Sequence, residues 1–205
     1  MGSPIYTIGY APHNLGAFIV LLKQIGITAI ADVRSQPYSR YKPEFNREVL
    51  GRALRVSGIQ YVFLGEEIGA RPSDQACYEH GRVSFDRLAE TPLFKQGIKR
   101  LQKGRESHSI ALMCAEKDPI TCHRMVLVSK VLQEDGIEVL HILEDGALEP
   151  NRESEIRLVA KLGLTADLFR TEEQGIAQAY AEQARALAFE KFPEQSEEDD
   201  RPRMG

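Results

Sequence analysis

Two of the three cysteines, Cys114 and Cys122, lie eight positions apart in LMCAEKDPITCHRMVL, and His123 and Arg124 follow the second directly. Two thiols, an imidazole and a guanidinium admit three chemistries: a nucleophile beside an anion cradle, a metal site, or inert core packing. Pro119 closes the loop, Thr121 is a good helix N-cap, and Cys122, His123 and Arg124 then fall in the first helical turn. Unpaired amides and the helix dipole favour an anion there, and the same field lowers a cysteine's pKa. Arg124 would clamp an oxyanion in bidentate fashion. Cys114, ending the preceding strand, faces the mouth of that cradle.

These residues need elements to hold them. Helix-period segments close on glycine before a β-rich run at Gly26-Ile27, Gly58-Ile59 and Gly136-Ile137, since glycine accepts the left-handed turn that ends a helix. The spacing predicts strands at 5–9, 28–33, 59–64, 109–114 and 138–143. Helices are predicted at 14–25, capped by Asn14, and at 46–56, capped by Asn46 with Val49, Leu50 and Ala53 inward. Two more span 85–103, broken at Thr91-Pro92, and 121–135. Alternating strands and helices imply parallel pairing through right-handed crossovers. The expected fold is therefore α/β, a doubly wound, mostly parallel sheet of about five strands flanked by helices. Extra C-terminal helices follow at 153–162 and 172–189. The expected divisions are a domain over 1–162, a helical extension over 163–192 and a disordered acidic tail over 193–205. The alanine-rich stripe Ile176, Tyr180, Ala184 and Leu187 packs on the domain's flank or forms a homodimer seam.

Sites in such sheets form beyond the carboxyl ends of the strands. Those ends carry Tyr10 and His13, Asp32 and Arg34, Glu66 and Glu67, Cys114 and Glu116, and His141. Asp32 and Arg34 lie two apart on a strand and leave the same face. An aspartate in an apolar strand demands a partner, and Arg34 is the natural one; ion pair and substrate contact both stand. As an enzyme, the chain would use Cys114 as nucleophile, Asp32 or Glu116 for proton transfer and His123 for orientation or acid–base work. A small anionic or nucleotide-like ligand would rest on Thr121, Cys122 and Arg124, with Arg34, Arg40 or Lys42 assisting. That makes a cysteine-dependent transferase or hydrolase. As a metalloprotein, it would bind zinc, iron or haem through Cys114, Cys122 and a histidine, with His13 or His141 available. The spacing matches no familiar zinc pattern, and the Cys-x5-Arg phosphatase loop is absent. A nucleotide or nucleic-acid binding role is the third reading, carried by the basic segment from Arg34 to Arg55.

Composition narrows the setting. Three cysteines among 205 residues form no disulfide framework. The net charge is −4, of which the tail from Pro193 supplies −3, so a general polyanion binder is not indicated. No apolar run reaches the length of a membrane span and no secretory signal opens the chain, so a cytoplasmic protein without a membrane partner is expected.

The pieces TIGY, ADVRSQPYSRYKPEF, GIQYVFLGEEIGA, LMCAEKDPITCHRMVL and HIL, in that order between Ile5 and Leu162, resemble the domain of unknown function 488 family. Tyr10 stands where a histidine is common after TIG, with His13 close by. The resemblance implies a compact α/β domain in which Asp32, Arg34, Cys114, Glu116, Cys122, His123 and Arg124 share one site. It implies no reaction.

Overall fold

A computed structural model describes residues 2–166 and 170–190. The acidic tail expected at 193–205 lies outside them. Strand β1 (Ile5–Gly9) leads to helix α1 (Leu15–Ile25), β2 (Ala29–Asp32), α2 (Arg47–Val56), β3 (Gln60–Phe63) and the short α3 (Gly65–Ile68). A two-stranded hairpin, β4 (Tyr78–Glu79) and β5 (Arg82–Val83), precedes α4 (Phe85–Glu90) and α5 (Pro92–Gly104). Then come β6 (Ile110–Cys114), a π-helical stretch Arg124–Ser129 continuing into α6 (Lys130–Glu134), β7 (Val139–Ile142), β8 (Leu148–Pro150), α7 (Asn151–Lys161) and α8 (Glu172–Leu187).

Six strands form the sheet in the order β3-β2-β6-β1-β7-β8, all parallel except the last pair. The mostly parallel α/β architecture agrees with expectation, with one strand more. β8 is three residues of an antiparallel edge, too short to show alternation. One face packs Phe18 and Leu22 of α1 and Leu50 and Leu54 of α2 against Ile8, Ile30 and Met113. The other packs α4, α5, the π-helix, α7 and α8 against Ile5, Ala31, Leu112 and Cys114. The stripe on α8 joins that second core, with Tyr180 buried and Ile176, Ala184 and Leu187 partly so.

Local expectations hold where one residue dominates. Asn14 caps α1 through the Ala17 amide, and Gly26, Gly58 and Gly136 take φ of 81°, 80° and 74°. The break at Thr91-Pro92 is real: Thr91 caps the Phe94 amide and Pro92 opens α5. Two details differ. Asn46 precedes α2, but its side chain accepts from the Ser39 amide instead of capping the helix. Val49 faces solvent and Leu54 takes the inward place. No helix among the described residues is long and apolar enough to cross a membrane.

Candidate functional site

The predicted helix at Thr121 does not start there. Asp118 caps a 3-10 turn, Pro119–Thr121, by accepting from the Ile120 amide, and the Thr121 hydroxyl donates to the Asp118 carbonyl. Cys122 is extended, at φ −135° and ψ 142°. Its carbonyl accepts from the Met125 and Val126 amides, at 3.1 and 3.2 Å, so Cys122 itself is the N-cap. Its Sγ accepts from the Arg124 amide at 3.5 Å. A residue that was to sit inside the first turn instead ends it, and its sulfur takes the place of a capping oxygen.

Arg124 differs most from expectation. It is fully buried and clamps no oxyanion. Nη1 donates to the Glu116 carbonyl at 2.6 Å, Nη2 to the Lys117 carbonyl at 3.1 Å, and Nε to the Thr7 hydroxyl at 3.3 Å. It therefore ties the 115–117 loop down onto β1. Gly9 allows that approach: a Cβ there would overlap the Glu116 carbonyl. A guanidinium in a first turn reads as exposed; nothing local signals that the loop before it folds over it.

The sulfurs meet from two elements. Register sets Cys114 beside Gly9 at the carboxyl end of β6. His123 Nδ1 lies 3.8 Å from Cys114 Sγ and 3.8 Å from Cys122 Sγ. Its Nε2 lies 3.0 Å from the Val33 carbonyl, which can only accept. Nε2 therefore carries the hydrogen, and Nδ1 is the nitrogen turned to both thiols. Cys122 Sγ also contacts Glu116 Oε2 at 2.9 Å, so one proton is shared across that pair.

The two thiols are pushed in opposite directions. Burial opposes the ionisation of Cys122, but the neighbouring Cys114 thiol, the Arg124 guanidinium and His123 outweigh this and hold the thiol well below its ordinary range. Cys114 is pushed well above its range by the neighbouring Cys122 and by burial. Glu116 is raised by burial and by the Cys122 charge. Burial would lower His123, but Cys122 and Glu116 raise it.

Asp32 and Arg34 form the expected pair. Arg34 Nε donates to Asp32 Oδ1 at 2.9 Å and Nη2 to Oδ2 at 2.6 Å, while the Tyr61 hydroxyl donates to Oδ2 at 2.7 Å. Arg34 Nη2 also reaches the Phe45 carbonyl, and the guanidinium lies over the Tyr10 ring, which stacks on Phe45. Asp32 is fully enclosed and Arg34 is 5% exposed. Yet Arg34 Nη1 is buried without a partner.

Cys114, Cys122, His123, Glu116, Thr121, Arg34 and Tyr10 border one open cavity of about 370 Å³. Asp32 supports it from behind. His13 and Arg40 do not line it: His13 is buried beside Phe18 and its carbonyl receives Lys42 Nζ, and Arg40 is exposed. Within the basic segment, Arg34 pairs with Asp32 through Nε and Nη2, and Arg47 stacks over Phe63. Ser35, Ser39, Arg71, Leu187 and Phe189 complete the walls. All of these but Leu187 lie on loops, where no periodicity marks them, and Leu187 ends α8 on a stripe that reads as packing; the position of Ser35 just beyond a strand end is the one signal of a site.

The family model described as domain of unknown function DUF488 matches residues 14–131. No curated protein and no solved structure matches the chain.

Proposed function

The chain belongs to the DUF488 family, and from that premise we propose that it is a cysteine-dependent enzyme, a transferase or hydrolase, acting on a small anionic or nucleotide-like substrate. The thiolate of Cys122 forms a bond to the electrophilic centre as the bond to the leaving group breaks. Cys114, the earlier candidate for nucleophile, keeps its proton beside that thiolate. His123 Nδ1 gives its proton to the departing group and then takes one from the water or acceptor that frees the product from Cys122, with the Val33 carbonyl fixing its tautomer. Arg34 receives the substrate's anionic group at Nη1, and Asp32 with Tyr61 fixes the guanidinium. Glu116, raised by burial and by the Cys122 charge, holds a proton toward that sulfur and completes the acid–base set.

One observation carries this reading: His123 turns its one uncommitted nitrogen to two sulfurs at 3.8 Å each, on the wall of a cavity that Arg34 also lines. Satisfied structural groups have no need of that arrangement. Alkylation tests it. Cys122 should react with iodoacetamide near pH 7 on the order of tenfold faster than a free thiol, because thiolate replaces thiol. Iodoacetate, which carries a carboxylate, should gain further over iodoacetamide, and Arg34→Met should remove that gain. Reaction no faster than a free thiol sinks the nucleophile; no preference for the anionic reagent sinks the anion site.

The donor set favours a second reading. Cys114 Sγ, Cys122 Sγ and His123 Nδ1 lie within 4.8 Å of one another, and metal-bound histidines commonly donate their other nitrogen to a carbonyl. Two sulfurs and one imidazole suit zinc or iron with a position left open. Elemental analysis of untagged protein decides: stoichiometric metal lost in Cys122→Ser supports it, and metal-free protein removes it.

A further inference from the structure

The family match ends at residue 131, but the cavity does not. Leu187, the last residue of α8, and Phe189 just beyond it line the wall with Ala70 and Arg71. This wall is docked at several points. Gln183 Nε2 donates to the Ile120 carbonyl at 2.7 Å, two residues before Cys122. The Phe189 carbonyl accepts from the Val83 amide at 3.0 Å, and Glu190 pairs with Arg82. The Arg71 guanidinium lies 4.5 Å from the centroid of the Phe189 ring. Gln183 is buried on the same turn that positions the thiolate, so α8 and the cysteine site are held as one body.

The cavity consequently has two chemical sides. Arg34, Cys122 and His123 follow the carboxyl ends of β2 and β6, two interior strands. Leu187 and Phe189 are apolar and only partly buried. Apolar surface left open in a binding cavity gains free energy when a ligand covers it. Without a ligand there, the cationic side alone would suffice for a small anion.

We propose that the substrate joins an anionic group, received at Arg34, to an apolar chain or ring that packs on Leu187 and Phe189. The C-terminal extension then sets which substrates reach the cysteine site. Phe189 is a specificity-determining residue; it does not touch the reacting atoms. The proposal rests on the thiol-enzyme reading above and adds the second half of the substrate.

Two α-bromo acids test it on the full chain. 2-Bromopropionate and 2-bromohexanoate carry the same carboxylate and the same type of reacting carbon, and differ in tail length. In each, the thiolate forms the C–S bond as the C–Br bond breaks and bromide leaves. Rates at Cys122, read by mass spectrometry, are divided by those of a free small thiol. The wild type should favour the longer acid by about tenfold or more, the scale on which apolar pockets discriminate. Leu187→Ala/Phe189→Ala should lose that preference, read as the ratio of the two acids' rates in the same variant, while Phe189→Leu should retain most of it. A wild type without tail preference overturns the proposal and leaves the thiolate reading intact, as does a double variant that keeps the preference. Loss of the iodoacetate acceleration in the wild type overturns both.

Discussion

His123 and His141 are a natural pair for comparison. Both sit near Arg124 at the carboxyl edge of the sheet, and both present Nε2–H to an oxygen: His123 to the Val33 carbonyl at 3.0 Å, His141 to Asn151 Oδ1 at 2.9 Å. They differ at Nδ1. Arg124 Nε donates to the Thr7 hydroxyl, so that hydroxyl gives its own hydrogen to His141 Nδ1 at 2.7 Å. Each member of the chain Arg124–Thr7–His141–Asn151 is satisfied, and His141 is fully enclosed. His123 Nδ1 instead meets two sulfurs at 3.8 Å beside a cavity. Burial and Arg124 push His141 down to about 4, whereas Cys122 and Glu116 draw His123 up despite its burial. A buried histidine becomes a candidate for chemistry when one nitrogen is left uncommitted beside open space, not because it is buried.

The sharpest way to break the comparison is to remove what the two share. Arg124→Met leaves the Glu116 and Lys117 carbonyls and the Thr7 hydroxyl without their donor. At about 1–3 kcal/mol per stranded buried group, the loss should reach about 4 kcal/mol in denaturant unfolding. Cys122 should also lose its reactivity in whatever fraction remains folded.

Next comes pH. A histidine depressed on folding binds its proton more readily in the unfolded chain, so stability falls as pH drops from about 6.5 toward about 4. The His141 contribution across that window is about 3 kcal/mol. His141→Phe should flatten it, at the cost of a lower plateau near neutrality, and leave the alkylation rate of Cys122 alone. His123 has the opposite sign: raised on folding, it adds stability that is present below its unfolded pKa and lost as pH rises through the folded one. Equal slopes for His141→Phe and wild type between pH 4 and 6.5 would show that His141 is no buried neutral base.

His123→Gln should cost little stability, about 1 kcal/mol for one lost hydrogen bond, yet slow Cys122 alkylation near pH 7 by about tenfold. An unchanged rate would make His123 as structural as His141. The smallest effect belongs to Arg40, which is exposed and off the cavity. Arg40→Ala should shift stability by no more than about 0.5 kcal/mol and leave the anionic preference intact.

The sequence made some of this legible and hid the rest for physical reasons. Left-handed glycines and apolar strands announce the alternation, because each is a local requirement. The Asp32–Arg34 pair is legible because strand geometry puts residues two apart on one face. The start of the helix after Cys114 is not. Asp118, rather than Thr121, caps the short turn, and the π-helical residues Arg124–Ser129 are buried all round, which erases the periodicity that marks a surface helix. The place of Arg124 is hidden for a different reason: the loop it anchors is brought to it only by tertiary folding. Leu187 and Phe189 reach the site from the far end of the chain, and nothing in their neighbours points to it.

The central claim, that the negative charge rests on Cys122, is tested most directly by thiolate absorbance through a pH titration of wild type, Cys114→Ser and Cys122→Ser. One thiolate should persist to well below the ordinary thiol pKa of about 8.5 in the wild type. It should survive, with a smaller shift, in Cys114→Ser and be absent in Cys122→Ser. A low-pH thiolate that disappears with Cys114 and persists without Cys122, or none at all in the wild type, would contradict it.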